Sequence, residues 1–152
     1  MNSPPIRIVL NPDPARHPEL VPLWRAAVEA THAFLTPADI AGYEGRLLRD
    51  YFPQVTLAVA QRGEQILGFS GTHAGNLEML FIDPAWHGRG VGSALLAEAR
   101  GRFPALTVDV NEENPAAVGF YLARGFIRIG RSATDGEGRP FPLLHLATAL
   151  PE

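Results

Sequence analysis

The chain has 152 residues, a formal charge of −3 and no cysteine. It therefore reads as a single domain over residues 1–152, without disulfides, thiolate metal sites or a cysteine nucleophile. Hydrophobic residues at 46% and charged ones at 19% describe a globular chain, with no apolar run long enough to span a bilayer. Its acidic balance lacks the basic field of a nucleic-acid binder, and Met1 to Arg7 lack the pattern of a secretory signal. A cytoplasmic protein with no nucleic-acid or membrane partner is expected. All 13 basic residues are arginine, which removes Schiff-base chemistry and a lysine-dependent phosphate loop.

In chain order, Ile6 to Leu10 reads as a first strand and Asn11 to Pro18 as a proline-rich turn. Leu20, Trp24, Ala27, Val28 and Thr31 fall at helical spacing. Thr36-Pro37-Ala38-Asp39 opens a second helix, with Thr36 as N-cap, that is expected to reach about Tyr51. Val55–Ala60 and Ile66–Gly71 read as a hairpin around Arg62-Gly63-Glu64, followed by a strand over Asn76–Asp83. A helix over Gly92–Phe103 links that strand to another at Ala105–Asn111, a βαβ crossover. Asn114-Pro115 opens a last helix that Gly125 closes, and strands over Phe126–Arg131 and Pro142–Leu150 end the chain.

Chemistry is concentrated in Leu80-Phe81-Ile82-Asp83-Pro84-Ala85-Trp86-His87-Gly88-Arg89-Gly90-Val91-Gly92-Ser93. A strand ends at a proline, three alternate glycines follow, and a helix begins at once. Glycines let successive N–H groups turn toward one point, which makes an anion cradle at a helix N-terminus. A pyrophosphate fits it; a tight strand-to-helix turn with no ligand is the other reading. The dinucleotide fingerprint fits less well, because Ser93 occupies the third small position and no ribose-binding acid follows at the usual distance.

These residues resemble motif A of the GNAT acetyltransferases, Gln/Arg-x-x-Gly-x-Gly/Ala, with His87 in place of the usual Gln or Arg. Downstream, Asn111-Glu112-Glu113-Asn114-Pro115-Ala116-Ala117-Val118-Gly119-Phe120-Tyr121-Leu122-Ala123-Arg124-Gly125-Phe126 is similar to a second block of that family. The Ala30–Leu35 helix end and Gly130-Arg131-Ser132 with Pro142-Leu143-Leu144 resemble its small bacterial members of the YjaB type. The resemblance implies an α/β (α+β) fold: a mixed, mostly antiparallel sheet of about seven strands with a splayed parallel pair, flanked by four helices. It also implies acetyl-CoA as co-substrate, with no metal.

By the same resemblance, the pantetheine arm pairs with backbone groups at Leu80, Phe81 and Ile82, and the pyrophosphate sits on Gly88, Arg89, Gly90, Val91, Gly92 and Ser93. The Arg89 side chain either reaches a phosphate or is a solvated surface arginine. Asn114 would contact the coenzyme, a role compatible with capping its helix. Tyr121 is either a core aromatic or the acid that protonates the departing thiolate. Glu78 and Asp109, one on each flanking strand, are the candidate bases, with His73 a third through water. The expected reaction is direct attack by a primary amine on the thioester; a non-catalytic acyl-CoA binder is the alternative. The acceptor, a small-molecule amine or a peptide N-terminus, would be set by Trp24 to Tyr51 and Ser132 to Leu144. Monomer and homodimer both stay open.

Overall fold

The computed structural model describes residues 4–148, in which seven strands form one sheet. These are β1 (Ile6–Leu10), β2 (Thr56–Arg62), β3 (Gln65–His73), β4 (Asn76–Ile82), β5 (Thr107–Asn111), β6 (Phe126–Ser132) and β7 (Leu143–Thr148). Their order is β1-β2-β3-β4-β5-β7-β6. Every neighbouring pair is antiparallel except β4 and β5. The expected last strand reached Leu150, and its final two residues lie outside the described range.

Four α-helices cover the sheet among the described residues: α1 (Leu20–Thr31), α2 (Pro37–Glu44), α3 (Val91–Arg102) and α4 (Pro115–Leu122). On one face α1 buries Leu20, Trp24 and Val28 against Leu57, Val59 and Phe69 of the sheet. On the other, α3 and α4 bury Leu95, Leu96, Ala99 and Tyr121 against Leu67, Leu77, Val108, Leu144 and Leu146. Two apolar layers on one sheet are how a chain of this length closes a core.

Three stretches depart from expectation. The second helix stops at Glu44 instead of reaching Tyr51, and Leu47–Tyr51 continues as a single π turn. Gly42 and Gly45 weaken the α-helix there. Burial of both Leu47 and Phe52 favours the wider turn, because residues five apart lie about 140° apart on an α-helix but one turn apart in i→i+5 bonding. The proline-rich segment before α1 folds as a 3₁₀ helix over Pro14–Glu19 with Asp13 accepting from the Ala15 N–H. His73, expected in a loop, is the last residue of β3.

Candidate active site

The parallel strands β4 and β5 pair only at Asn76–Thr107 and Leu77–Val108. Beyond that, β4 keeps its antiparallel partners on β3 (Ser70–Leu80, Phe69–Phe81, Gly68–Ile82) while its other edge is free. An unpaired strand edge offers main-chain donors and acceptors to any extended ligand. The break coincides with a bulge: Met79 faces Gly71 and Leu77 faces Thr72, which leaves Glu78 as the extra residue on β4.

The opening between the strands is a cleft of about 430 Å³. Twelve of the residues singled out from sequence line it: Glu78, Leu80, Phe81, Ile82, Gly88, Gly90, Val91, Gly92, Ser93, Asp109, Asn114 and Tyr121. Arg89 does not; its guanidinium lies 5.0 Å from the centroid of the Trp86 ring. His87 also lines the cleft.

At the cleft's glycine end, Gly88 and Gly90 have φ of +75° and +83°, conformations that favour glycine. A Cβ built on either would meet open space, so room exists for a ligand to approach the backbone. The N–H groups of Gly88 through Ser93 have no acceptor among the described residues, and they sit at the positive end of α3. Gly92 is different. A Cβ there would stand 3.4 Å from the Phe120 ring, so this glycine serves the packing of α3 against α4. Motif reading missed the partner that completes this corner. Arg124 donates to Ser93 Oγ (2.9 Å) and to the Phe120 carbonyl (2.9 Å), with its guanidinium 3.7 Å from the Phe120 ring centroid. It is the one arginine among the residues described as lining the cleft.

Asn114, the cap of α4, and Tyr121, in its last turn, both line the cleft. The Asn114 Oδ1 caps α4 by accepting from the Ala117 N–H (3.2 Å), while its amide nitrogen has no partner among the described residues and the side chain lines the cleft. The Tyr121 ring packs between Phe120 and Phe126, with centroids 5.1 and 5.4 Å away. Its hydroxyl bonds nothing among the described residues, and burial pushes its pKa well above the usual phenol range. A neutral phenol facing a cleft is a proton donor.

The two candidate bases part company. Asp109 accepts from His145 Nδ1 at 2.5 Å, and His145 Nε2 lies 2.6 Å from Ser132 Oγ, a chain running across β5, β7 and β6. Glu78 has no such tie and lines a second cavity as well. That cavity, about 370 Å³, is walled by Trp24, Phe34, Tyr43, Tyr51, Phe81 and Phe141, with Asp135 and Glu137 at its rim. His73 lines this cavity and not the cleft.

The loop between β6 and β7 closes this second cavity by clasping the α2 region. Tyr43 donates to Asp135 (2.9 Å), Tyr51 to Glu137 (2.5 Å), and Arg46 also pairs with Glu137. Arg139 reaches Asp39 (3.4 Å) and lies 4.6 Å from the Tyr43 ring centroid. Burial, then the carboxylates, raises both phenols, Tyr51 to about 12 and Tyr43 further. The two cavities meet at His32, Glu78, Met79, Phe81 and Asn111, which line both.

A profile described as "Acetyltransferase (GNAT) domain" matches residues 27–141. The chain belongs to the GNAT acetyltransferase family. Peptidyl-lysine N-acetyltransferase YjaB of Salmonella typhimurium is 41% identical over 143 residues, covering 91% of this chain and 98% of that one. The solution structure of apo-form YjaB from Escherichia coli superposes with a TM-score of 0.86 at 40% identity, covering 95% and 98% of the two chains. In fold alone, the PaiA N-acetyltransferase of Thermoplasma acidophilum, solved with coenzyme A, matches at TM-score 0.78 and 17% identity over 96% and 99%. This GNAT protein is thus an acetyl-CoA-dependent N-acetyltransferase, and the expected fold, with its splayed parallel pair and four helices, is the fold observed.

Proposed function

We propose that this acetyltransferase modifies the ε-amino group of lysine in peptides or proteins, a side chain rather than the peptide N-terminus or small amine expected from sequence. The observation that carries this reading is the second cavity, which meets the coenzyme cleft at a shared wall. Its aromatic walls suit an aliphatic stem, and Glu78 at the shared wall suits a cationic head. Its sequence relatives bear the name peptidyl-lysine N-acetyltransferase.

In this reading the free edge of β4 at Leu80–Ile82 holds the pantetheine arm, and the N–H groups of Gly88 to Ser93 hold the pyrophosphate. The amide of Asn114 reaches the coenzyme from the far side. Glu78 draws the ammonium to the junction, and the Tyr121 phenol gives its proton to the sulfur as the C–S bond breaks. Acetyl-CoA is a cytoplasmic metabolite, which supports a cytoplasmic location. Ile127 and Ile129, exposed on the edge strand β6, offer the surface for a homodimer, which light scattering tests.

The test offers acetyl-CoA with three acceptors: a lysine peptide blocked at its N-terminus, a lysine-free peptide with a free N-terminus, and a small diamine. Thiol release and mass shift are followed. Turnover confined to the blocked lysine peptide is expected, and turnover confined to either other acceptor overturns the reading.

A further inference from the structure

We propose that His32 is a catalytic residue of this transferase, its Nε2 taking the proton that the acceptor nitrogen sheds as it bonds to the acetyl carbon. The proposal rests on the lysine acetyltransferase reading above and names the base that reading lacks. Of the five residues that line both cavities, only His32 and Glu78 have titratable side chains, so these two stand at the wall between the acceptor cavity and the coenzyme cleft.

The hydrogen-bond pattern fixes which ring nitrogen is free. Thr31 Oγ1 lies 2.7 Å from the Ala27 carbonyl oxygen and 2.7 Å from His32 Nδ1. A hydroxyl has one proton, and two oxygens that close need it between them, so it is donated to Ala27. The contact with His32 then requires the hydrogen to be on Nδ1. The neutral ring therefore carries its lone pair on Nε2, which has no partner among the described residues. Phe34 and Phe81, with centroids 5.3 and 6.4 Å away, hold the ring in place.

Burial lowers the His32 pKa, so the ring is uncharged near neutral pH and does not repel an incoming ammonium. The titratable and charged groups that share its two cavities are Glu78 on β4, His73 on β3, Tyr43 on α2, Tyr51 after it, and Asp135 and Glu137 on the β6–β7 loop, with His87, Asp109, Tyr121 and Arg124 in the cleft. Asp109 is the weaker candidate, since it lines the cleft alone and is bonded to His145.

The protons balance. The lysine ammonium gives one to solvent. As the neutral amine forms the N–C bond, its second N–H proton passes to His32 Nε2. The C–S bond breaks with its electron pair on sulfur, which takes the Tyr121 proton. Return of the His32 proton to the Tyr121 oxygen through water resets the site, with one proton released per amide formed.

His32→Asn tests this, because the amide can still donate toward Thr31 while the lone pair at the Nε2 position is gone. On the blocked lysine peptide at pH 7, kcat should fall at least tenfold, within the ~10²–10⁴ range of general base catalysis. KM for acetyl-CoA should stay within twofold, and the deficit should narrow with rising pH and with added imidazole. Activity within twofold of wild type across the pH range overturns the proposal, as does a deficit indifferent to both pH and imidazole. If wild type releases no thiol with lysine peptides, it is the acceptor reading that fails. The base assignment is then decided by nitrogen-15 NMR of the imidazole in the wild-type protein: a neutral Nδ1–H tautomer supports it, and an Nε2–H tautomer or a charged ring at pH 7 overturns it.

Discussion

Leu77 and Val108 form the last parallel pair between β4 and β5, and the residue after Leu77 is the bulge. A bulge bends its strand and sharpens the twist, so the strands part at this step. The extra residue also breaks the alternation of faces. Leu77 packs toward α3 and α4, while Met79, two positions on, packs toward α1. Glu78 stands at the turning point, exposed to both cavities. One unpaired residue thus opens the cleft and puts a carboxylate at its junction.

Glu78→Gln keeps the bulge and removes the charge. An exposed carboxylate–ammonium pair contributes about 0.2–1 kcal/mol, so KM for a lysine acceptor should rise by up to about fivefold while KM for acetyl-CoA holds. Raising the salt concentration should shrink the difference between variant and wild type. An unchanged acceptor KM at low salt would remove Glu78 from acceptor binding.

Tyr121→Phe separates chemistry from packing. The ring carries the contacts with Phe120 and Phe126, and the hydroxyl has no partner among the described residues to lose. Melting temperature and acetyl-CoA affinity should therefore stay nearly unchanged, while kcat falls by ~10²–10⁴-fold, the range typical of general acid catalysis. Full turnover in Tyr121→Phe would assign Tyr121 to the core alone.

The parts legible in sequence were the local ones. The Gly88–Ser93 loop, the Asn114 cap and the alternation of β5 each depend on neighbours a few residues away. The bulge does not: Glu78 has no glycine or proline beside it, and its register is fixed by β3, where a Cβ on Gly71 would stand 2.9 Å from Val55. The clasp joins Tyr43 to Asp135, 92 positions apart, and the π turn follows from burying Phe52 against Phe69. His32 falls within the Trp24–Tyr51 stretch expected to set the acceptor. Its tautomer follows from Thr31 and Ala27, and its place at the junction from the two cavities.

The loop glycines should respond differently to the same substitution. Gly90→Ala places a side chain in open space but at a φ of +83°, which costs about 1–2 kcal/mol for an L-residue. Gly92→Ala has ordinary helical backbone and sets its Cβ in contact with the Phe120 ring at 3.4 Å. Thermal melts should show a clear loss for Gly90→Ala and a smaller one for Gly92→Ala. Calorimetry should show weaker acetyl-CoA binding for Gly90→Ala. Equal melting temperatures for the two variants would contradict the backbone argument.

Alkaline titration reads the whole site at once, because the chain's 3 tyrosines are Tyr43, Tyr51 and Tyr121, and each is raised. Burial leads in every case; hydrogen bonds to Asp135 and Glu137 add to it at Tyr43 and Tyr51. A phenol raised in the folded state favours folding below its unfolded pKa of about 10, and that contribution fades as pH climbs through the folded value. For Tyr51 the window is from about 10 to about 12, and for the other two it extends higher. Above pH 10 the unfolded chain releases more protons than the folded one, so stability falls with pH. Tyr121, the deeply buried member, contributes at most about 1.4 kcal/mol per pH unit, and Tyr43 and Tyr51 less because solvent screens them. Phenolate absorbance should accordingly stay below one tyrosine equivalent at about pH 11, then rise together with loss of helical circular dichroism. About three-quarters of a phenolate equivalent at pH 10.5 in a folded protein would mean that one of the three hydroxyls is free in solvent, and the Tyr43→Phe and Tyr51→Phe variants would identify which.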